Sequence, residues 1–309
     1  METDSFLMYL RDVKRYSQHT ITAYAEDLNQ FIEFSEKYEL IHEWTEVSSG
    51  MIRRFEAGLM AGTLSFSKGG DEIRIKPLSA KSVARKLSSL RSLFRYLLRE
   101  GKVKDNPLEV VPVPKIGKKL PVFVPDDDMN ELLDANFDYS DFASFRDMMI
   151  LKMAYCTGMR RSELVGLKVA DIDGSSRVIK IRGKGNKERL VPMLDELVAD
   201  VDRYLQERQK VVGRSVTHNS FFVTDAGNPV NDMYVHRHVS KYLEKVKTLS
   251  RHSPHVLRHS FATALLNNGA GIEAIRELLG HSNLAATQVY THNSFESLKR
   301  VYNKAHPRA

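Results

Sequence analysis

The stretch NPLEVVPVPKIGKKLPVF, with Pro107, Pro112, Pro114 and Pro121, sets the strongest limit on how this chain can fold. Proline lacks a backbone donor and pushes its predecessor toward extended geometry, so no helix can run through this stretch. Lys115, Lys118 and Lys119 add charge there with no acid beside them. The stretch therefore predicts a semi-rigid basic linker over residues 111–121. It separates an N-terminal domain (1–110) from a C-terminal one (122–309), and 309 residues suit about two domains.

An apolar fraction of 42% is enough for two cores. No run of eighteen or more apolar residues is present, which argues against a membrane span. METDSFLMYLRDVKRY lacks the apolar core of a signal peptide. Cys156 is the single cysteine, so an internal disulfide and a cysteine metal cage are excluded. That usage fits a reducing cytoplasm, and the flanks MAYCTGM suggest a buried, inert thiol. The formal net charge of +7 is compatible with nucleic-acid binding. Solvated lysines make many proteins basic, so the placement of charge carries more information.

The N-terminal domain reads as helical. Ser17 or Thr20 opens a helix with Ile21, Tyr24, Leu28, Phe31 and Ile32 at helical spacing. A second helix runs through MIRRFEAGLM to Gly62. TLSFSKGGDEIRIKP, with Gly69-Gly70 at its centre, reads as a small hairpin or irregular loop inserted over residues 63–77. Ser79 caps the next helix and Gly101 ends it, with Leu87, Leu90, Phe94, Leu97 and Leu98 as the expected core face. Arg91, Arg95 and Arg99 share another face. Between Ser79 and Lys102 there are seven Lys or Arg and one acid, so intrahelical ion pairs are lacking. A solvated face is the ordinary explanation of such a run. The lack of acids favours phosphate contact instead, with Lys81, Arg85, Arg91, Arg95 and Arg99 as candidates, joined by Lys115, Lys118 and Lys119 of the linker.

In the C-terminal domain, Pro125 followed by Asp126, Asp127 and Asp128 marks a helix start rather than a metal site, because consecutive helical residues point in different directions. An apolar helix follows from Phe142 to Tyr155. RVIKIR, GKGNK and ERLVPM read as strand, Gly-rich turn and strand, and the remainder as helices punctuated by Gly269, Gly271 and Gly280.

This domain holds a scattered set of cations. Ser253-Pro254 is a helix-start signal that puts His255 and Arg258 at i and i+3 near the positive end of a helix. His259 points elsewhere, and Val256 in place of Glu excludes the zinc-protease pattern. Arg160 follows the Thr157-Gly158 break, with Glu163 three residues on to orient it; Arg161 faces another direction. A guanidinium fork can hold two phosphate oxygens. Lys184 lies between Gly183 and Gly185 at the hairpin tip, with Lys187 as a local rival. Neither a Walker loop nor a dinucleotide loop is present. His281 follows Gly280, and Tyr290 closes the string LAATQVY. Each residue also has a bland structural explanation: a cap, a surface cation, a turn lysine, a packing tyrosine. A phenol titrates near about 10, so a nucleophilic Tyr290 needs cations or a base beside it.

Taken together, TGMRRSEL, GKGNKERLVP, HVLRHSFAT, LLGHSN and VYTH resemble the motifs of the tyrosine recombinases of the Xer type, in order and over almost the whole chain. The resemblance implies a mainly α protein. It would have an N-terminal helical, SAM-like core-binding domain and a mostly α catalytic domain with a small antiparallel sheet. It implies cleavage of double-stranded DNA at a specific recombination site without metal or other cofactor. Tyr290 would form a 3′-phosphotyrosyl link. Arg160, Arg258 and His281 would stabilise the phosphorane, Lys184 would protonate the leaving 5′-oxygen, His255 would assist, and Glu163 would support the site from behind. The base for Tyr290 stays open. Strand exchange would pass through a Holliday junction in a tetramer of one recombinase or of two paralogues, with a DNA translocase as a further partner and the tail helix handed to a neighbouring protomer. The 63–77 insertion departs from the compact pattern of this type. A mobile-element integrase, a type IB topoisomerase-like activity and a silent architectural DNA-binding protein are the competing readings.

Overall fold

The computed structural model describes residues 1, 3–115, 117, 122–134, 139–183, 187–213, 218–280 and 292–308. The chain divides into two compact units, Met1–Lys119 and Leu120–Ala309.

The first unit contains α1 (Asp4–Met8), a π-helical turn (Tyr9–Val13), α2 (Gln18–Tyr38), a 3-10 turn (Trp44–Glu46) and α3 (Ser49–Ala61). A hairpin of β1 (Ser65–Lys68) and β2 (Asp71–Arg74) follows, and then α4 (Ala80–Arg99). Ser17 caps α2 and Ser79 caps α4, each accepting from the backbone N–H three residues on. Gly69 and Gly70 both take positive φ, 65° and 94°, as a two-residue turn between right-twisted strands requires. The insertion is docked on α2: Phe66 is buried, Ser67 donates to Glu33, and Lys37 pairs with Glu72.

On α4, Leu87, Leu90, Phe94 and Leu97 are buried at helical spacing, each such side chain contributing about 1.5–3 kcal/mol. Leu98 departs from the expected core face. It is 40% exposed and Leu93 takes its place, because Leu98 falls at the margin of the apolar stripe in the last turn. The acids that α4 lacks come from elsewhere. Asp27 of α2 is buried and accepts from Arg85, Lys86 and Ser89.

The second unit opens with α5 (Asp126–Asp134), whose three aspartates occupy the first turn. Its central element is α6 (Phe142–Thr157), buried on every side from Phe145 onward, as its unbroken apolar character requires. Next come α7 (Arg161–Gly166) and the antiparallel sheet of β3 (Ile172–Asp173), β4 (Val178–Arg182) and β5 (Glu188–Pro192). The helices α8 (Asp195–Val212), α9 (Asp232–Leu243), α10 (Pro254–Asn267), α11 (Ile272–Leu279) and α12 (His292–Ala305) complete it. The charged side chains within α6 all find ion-pair partners: Arg146 pairs with Asp225, Asp147 with His238, and Lys152 with Glu196 and Asp200, while Arg146 Nε and the Tyr155 hydroxyl are buried with no hydrogen-bond partner among the described residues. Cys156 is buried, and burial pushes its thiol up to about 12, which removes it from thiolate chemistry.

In the isolated chain the tail helix α12 packs on its own domain. Leu298 and Tyr302 are buried there, and the Tyr302 hydroxyl donates to the Cys156 carbonyl at 2.7 Å. His306 packs against Tyr155, Phe261 and Tyr302, and Arg308 pairs with Asp134 and Glu196. These apolar and hydrogen-bonding partners hold α12 in place.

Candidate active site

Gly158 ends α6 in the left-handed conformation, φ 60°. A Cβ there would stand 2.6 Å from the Phe261 ring, so only glycine fits. The reversal sets Arg160 at the N-cap of α7. Glu163, one turn on, accepts from the Arg160 backbone N–H and from its guanidinium, both at 2.8 Å. Arg160 keeps 35% of its side chain exposed while Glu163 is buried. Burial alone would raise the Glu163 pKa. Hydrogen bonds and charge from Arg189 and Arg160 overcome it and hold the carboxylate ionised.

Arg258 lies one turn into α10. Pro254 occupies the first helical position, as the sequence predicts, but the Ser253 hydroxyl makes no cap bond and has no partner among the described residues. Arg258 is 9% exposed, and its guanidinium donates to the backbone carbonyls of Gly158 at 2.6 Å and Leu279 at 2.7 Å. Neither acceptor carries a full charge. Burial, then Arg160 and Arg189, pull the Arg258 pKa down to about 10, with Glu163 opposing. Arg258 stays cationic at neutral pH, and its charge is only partly compensated. An anion would relieve that repulsion, since opposite charge favours the ionised form.

His255 is exposed at the start of the same helix, and its pKa lies below the ordinary value. Desolvation is the leading cause, followed by the fields of Arg161, Arg251, Arg258 and Arg160. Arg251 was missed in the sequence, and Arg161 is more than a bystander. It pairs with Asp232 of α9 and still contributes to the potential at His255. His259 is half-buried.

The structure thus brings Arg160, Glu163, His255 and Arg258 together. Lys184, His281 and Tyr290 lie outside the described residues, as do Lys118 and Lys119. The flanks of two of them are described. Gly183 and Lys187 close the stem of the hairpin through Gly183 N–H donating to Lys187 O at 2.7 Å. Gly280, φ 64°, ends α11 one residue before His281.

Sequence reasoning also missed Arg189. It is buried on β5, donates to both oxygens of Glu163 at 3.0 and 2.8 Å, and reaches the Leu278 carbonyl at 2.8 Å. The available signal was strand register. Arg189 pairs with Ile181 and Val191 with Ile179, so Arg189 falls on the inward face.

In the first unit, Arg85 bonds Asp27, and Arg91 bonds the Leu108 and Val111 carbonyls. Arg99 lies over the rings of Tyr9 and Tyr96. Lys81, Arg95 and Lys115 are exposed and have no hydrogen-bond or ion-pair partner among the described residues.

No group of His, Cys, Asp and Glu among the described residues could hold a metal ion. No described helix is long and apolar enough to cross a membrane.

Residues 123–297 match the phage integrase family, and residues 3–101 match the phage integrase N-terminal SAM-like domain. The chain belongs to the phage integrase family, the tyrosine recombinases. Tyrosine recombinase XerC of Listeria innocua serovar 6a is 38% identical over 305 residues, spanning 98% of this chain and 97% of the relative. Two solved structures share the fold. One is the XerH site-specific recombinase bound to palindromic difH substrate in a post-cleavage complex (TM-score 0.68, 21% identity, 96% of this chain and 82% of that one). The other is the Tn1549 transposon integrase with circular intermediate DNA (TM-score 0.67, 19% identity, 94% and 96%).

Proposed function

We propose that this protein is a site-specific recombinase of the Xer type, which cuts and rejoins double-stranded DNA and resolves chromosome dimers. The observation that carries the chemistry is the buried Arg258, held by two neutral carbonyls beside Arg160 and only partly compensated by Glu163. Such a site favours a phosphodiester whose negative charge grows during reaction. Similarity to a XerC over nearly the full length of both chains, at 38% identity, supports the biological role.

In this reading the Tyr290 oxygen attacks phosphorus and the bond to the 5′-oxygen breaks. Lys184 gives that oxygen a proton. Arg160, Arg258 and His281 carry the charge of the pentacoordinate state. His255, whose lowered pKa favours the neutral ring, assists by hydrogen bonding or proton transfer. The phosphotyrosyl bond conserves the energy of the phosphodiester, so rejoining needs no nucleotide. Lys81, Arg85, Arg91, Arg95, Arg99, Lys115, Lys118 and Lys119 contact the DNA backbone, with 111–121 as the linker between domains 1–110 and 122–309. The working unit is a tetramer on two sites, built from one recombinase or with a paralogue. A DNA translocase is the partner class that brings distant sites together, and the location is the cytoplasm.

The test is a nicked duplex carrying the recombination site, which traps the covalent adduct as the cut fragment diffuses away. The wild-type chain should form a protein–DNA band. Tyr290→Phe should bind with unchanged affinity and form none; an adduct from that variant would remove Tyr290 as nucleophile.

A further inference from the structure

We infer that Arg189 is a positioning residue for strand cleavage, joining the hairpin that carries Lys184 to Arg160 through Glu163. The inference rests on the roles proposed above for Lys184 and Arg160.

All three guanidinium nitrogens of Arg189 are committed. Nη1 and Nη2 donate to the two oxygens of Glu163 at 3.0 and 2.8 Å, and Nε donates to Leu278 O at 2.8 Å. The same carboxylate takes the Arg160 guanidinium and its backbone N–H, both at 2.8 Å. Gly183, the residue before Lys184, sits against this pair: a Cβ there would stand 3.3 Å from Glu163 Oε1 and 3.8 Å from Arg189 Nη1. Gly280, the residue before His281, sits against Arg189 as well, with a Cβ position 3.0 Å from its Cδ. One buried side chain therefore touches the hairpin stem, the carboxylate under Arg160 and the end of α11.

A buried ion pair is weak evidence for stability, since apolar side chains of similar volume fill such a space at least as well. Its bidentate fork does something an apolar pair cannot. It fixes distance and angle between two chain segments far apart in sequence. A displacement of about 1 Å at a reacting group can slow chemistry about 100-fold.

Arg189→Lys keeps the charge and loses the fork. Single-turnover cleavage of the nicked duplex should fall about 10- to 100-fold. DNA affinity should stay within about threefold, the range expected when no phosphate contact is lost. A substrate with sulfur at the 5′-bridging position releases a thiolate that needs no proton from Lys184. The defect should shrink on that substrate. Cleavage by Arg189→Lys at the wild-type rate would overturn the inference. So would an equal defect on oxygen and sulfur substrates, or a loss of DNA binding in step with a lower Tm. Should Arg189→Lys fold poorly, Arg189→Met with Glu163→Leu removes both charges together. That double variant should bind DNA and cleave slowly, Arg160 having lost the same carboxylate, and normal cleavage by it would overturn the inference. Absence of any wild-type adduct on either substrate would remove the recombinase reading and this inference together. A wild-type adduct beside an undamaged variant would remove this inference alone.

Discussion

Each unit contains a buried carboxylate that gathers cations, Asp27 in the first and Glu163 in the second, and the two clusters serve different ends. In the first, Asp27 accepts from Arg85, Lys86 and Ser89, and the charges settle into a helix-to-helix clamp between α2 and α4. In the second, Glu163 accepts from Arg160 and Arg189, and a third cation, Arg258, stands beside them with only neutral carbonyls for partners. The first cluster holds one excess positive charge, spread toward solvent through the half-exposed Arg85. The second holds two, and its third cation is buried deeply enough to pull its own pKa down to about 10. What separates a structural cluster from a reactive one here is the excess cation kept out of water.

Variants that exchange the two behaviours test that contrast. The largest effect belongs to Arg258→Lys. An ammonium cannot span both the Gly158 and Leu279 carbonyls, and cleavage should drop about 100- to 1,000-fold, the range for one lost oxyanion donor, with DNA affinity little changed. Single-turnover adduct formation measures it; a drop below about threefold would mean that the excess cation is dispensable. Asp27→Ala should do the reverse. It leaves the buried Lys86 with Gln30 as its remaining partner. Unfolding of the first unit should become easier by about 3 kcal/mol in denaturant titration, while the chemical step at saturating DNA holds.

Acid provides a third, smaller lever. His306 is buried among aromatic rings, and burial first, then Arg308, pushes its pKa down to about 3 from an ordinary 6.5. Its folded pKa is depressed, so below about pH 6.5 the unfolded chain binds a proton that the folded one refuses. The contribution of the neutral ring is whole above that pH and fades on acidification until about pH 3. At pH 5 the loss is about 2 kcal/mol. His306→Phe should flatten the melting temperature between pH 7 and pH 5, and an unchanged acid slope would show that the tail is not the sensitive element. The smallest effect is that of Arg95→Ala, which removes one exposed cation with no described partner. It should reduce the salt slope of log affinity by about 0.9 without altering cleavage at saturation.

Much of the second cluster, and the helices and turns that frame the first, was legible in the sequence. The caps Ser17 and Ser79, the turn at Gly69-Gly70 and the reversal at Gly158 follow from local chemistry. Arg160, Glu163, His255 and Arg258 stand out by their motifs and order. The unseen parts share one cause, since they depend on which distant element comes alongside. The acid that α4 lacks is Asp27 on α2. Arg189 reads as another hairpin cation until the pairing with Ile181 turns it inward. Leu98 reads as core until Leu93 is seen to take its share of the face. The docking of α12 in the same chain needed the Cys156 carbonyl, 146 residues from Tyr302, to come within reach.

The two acceptors of Arg258 have a genetic consequence. A carbonyl of the main chain is common to all twenty amino acids, so no codon change at position 158 or 279 can delete either acceptor. Substitutions at those positions act only by moving the backbone. Arg258 is therefore shielded from the commonest way a hydrogen bond is lost to mutation, and its vulnerability is concentrated in two places: its own codon, and the glycine at 158 that lets the backbone turn toward it.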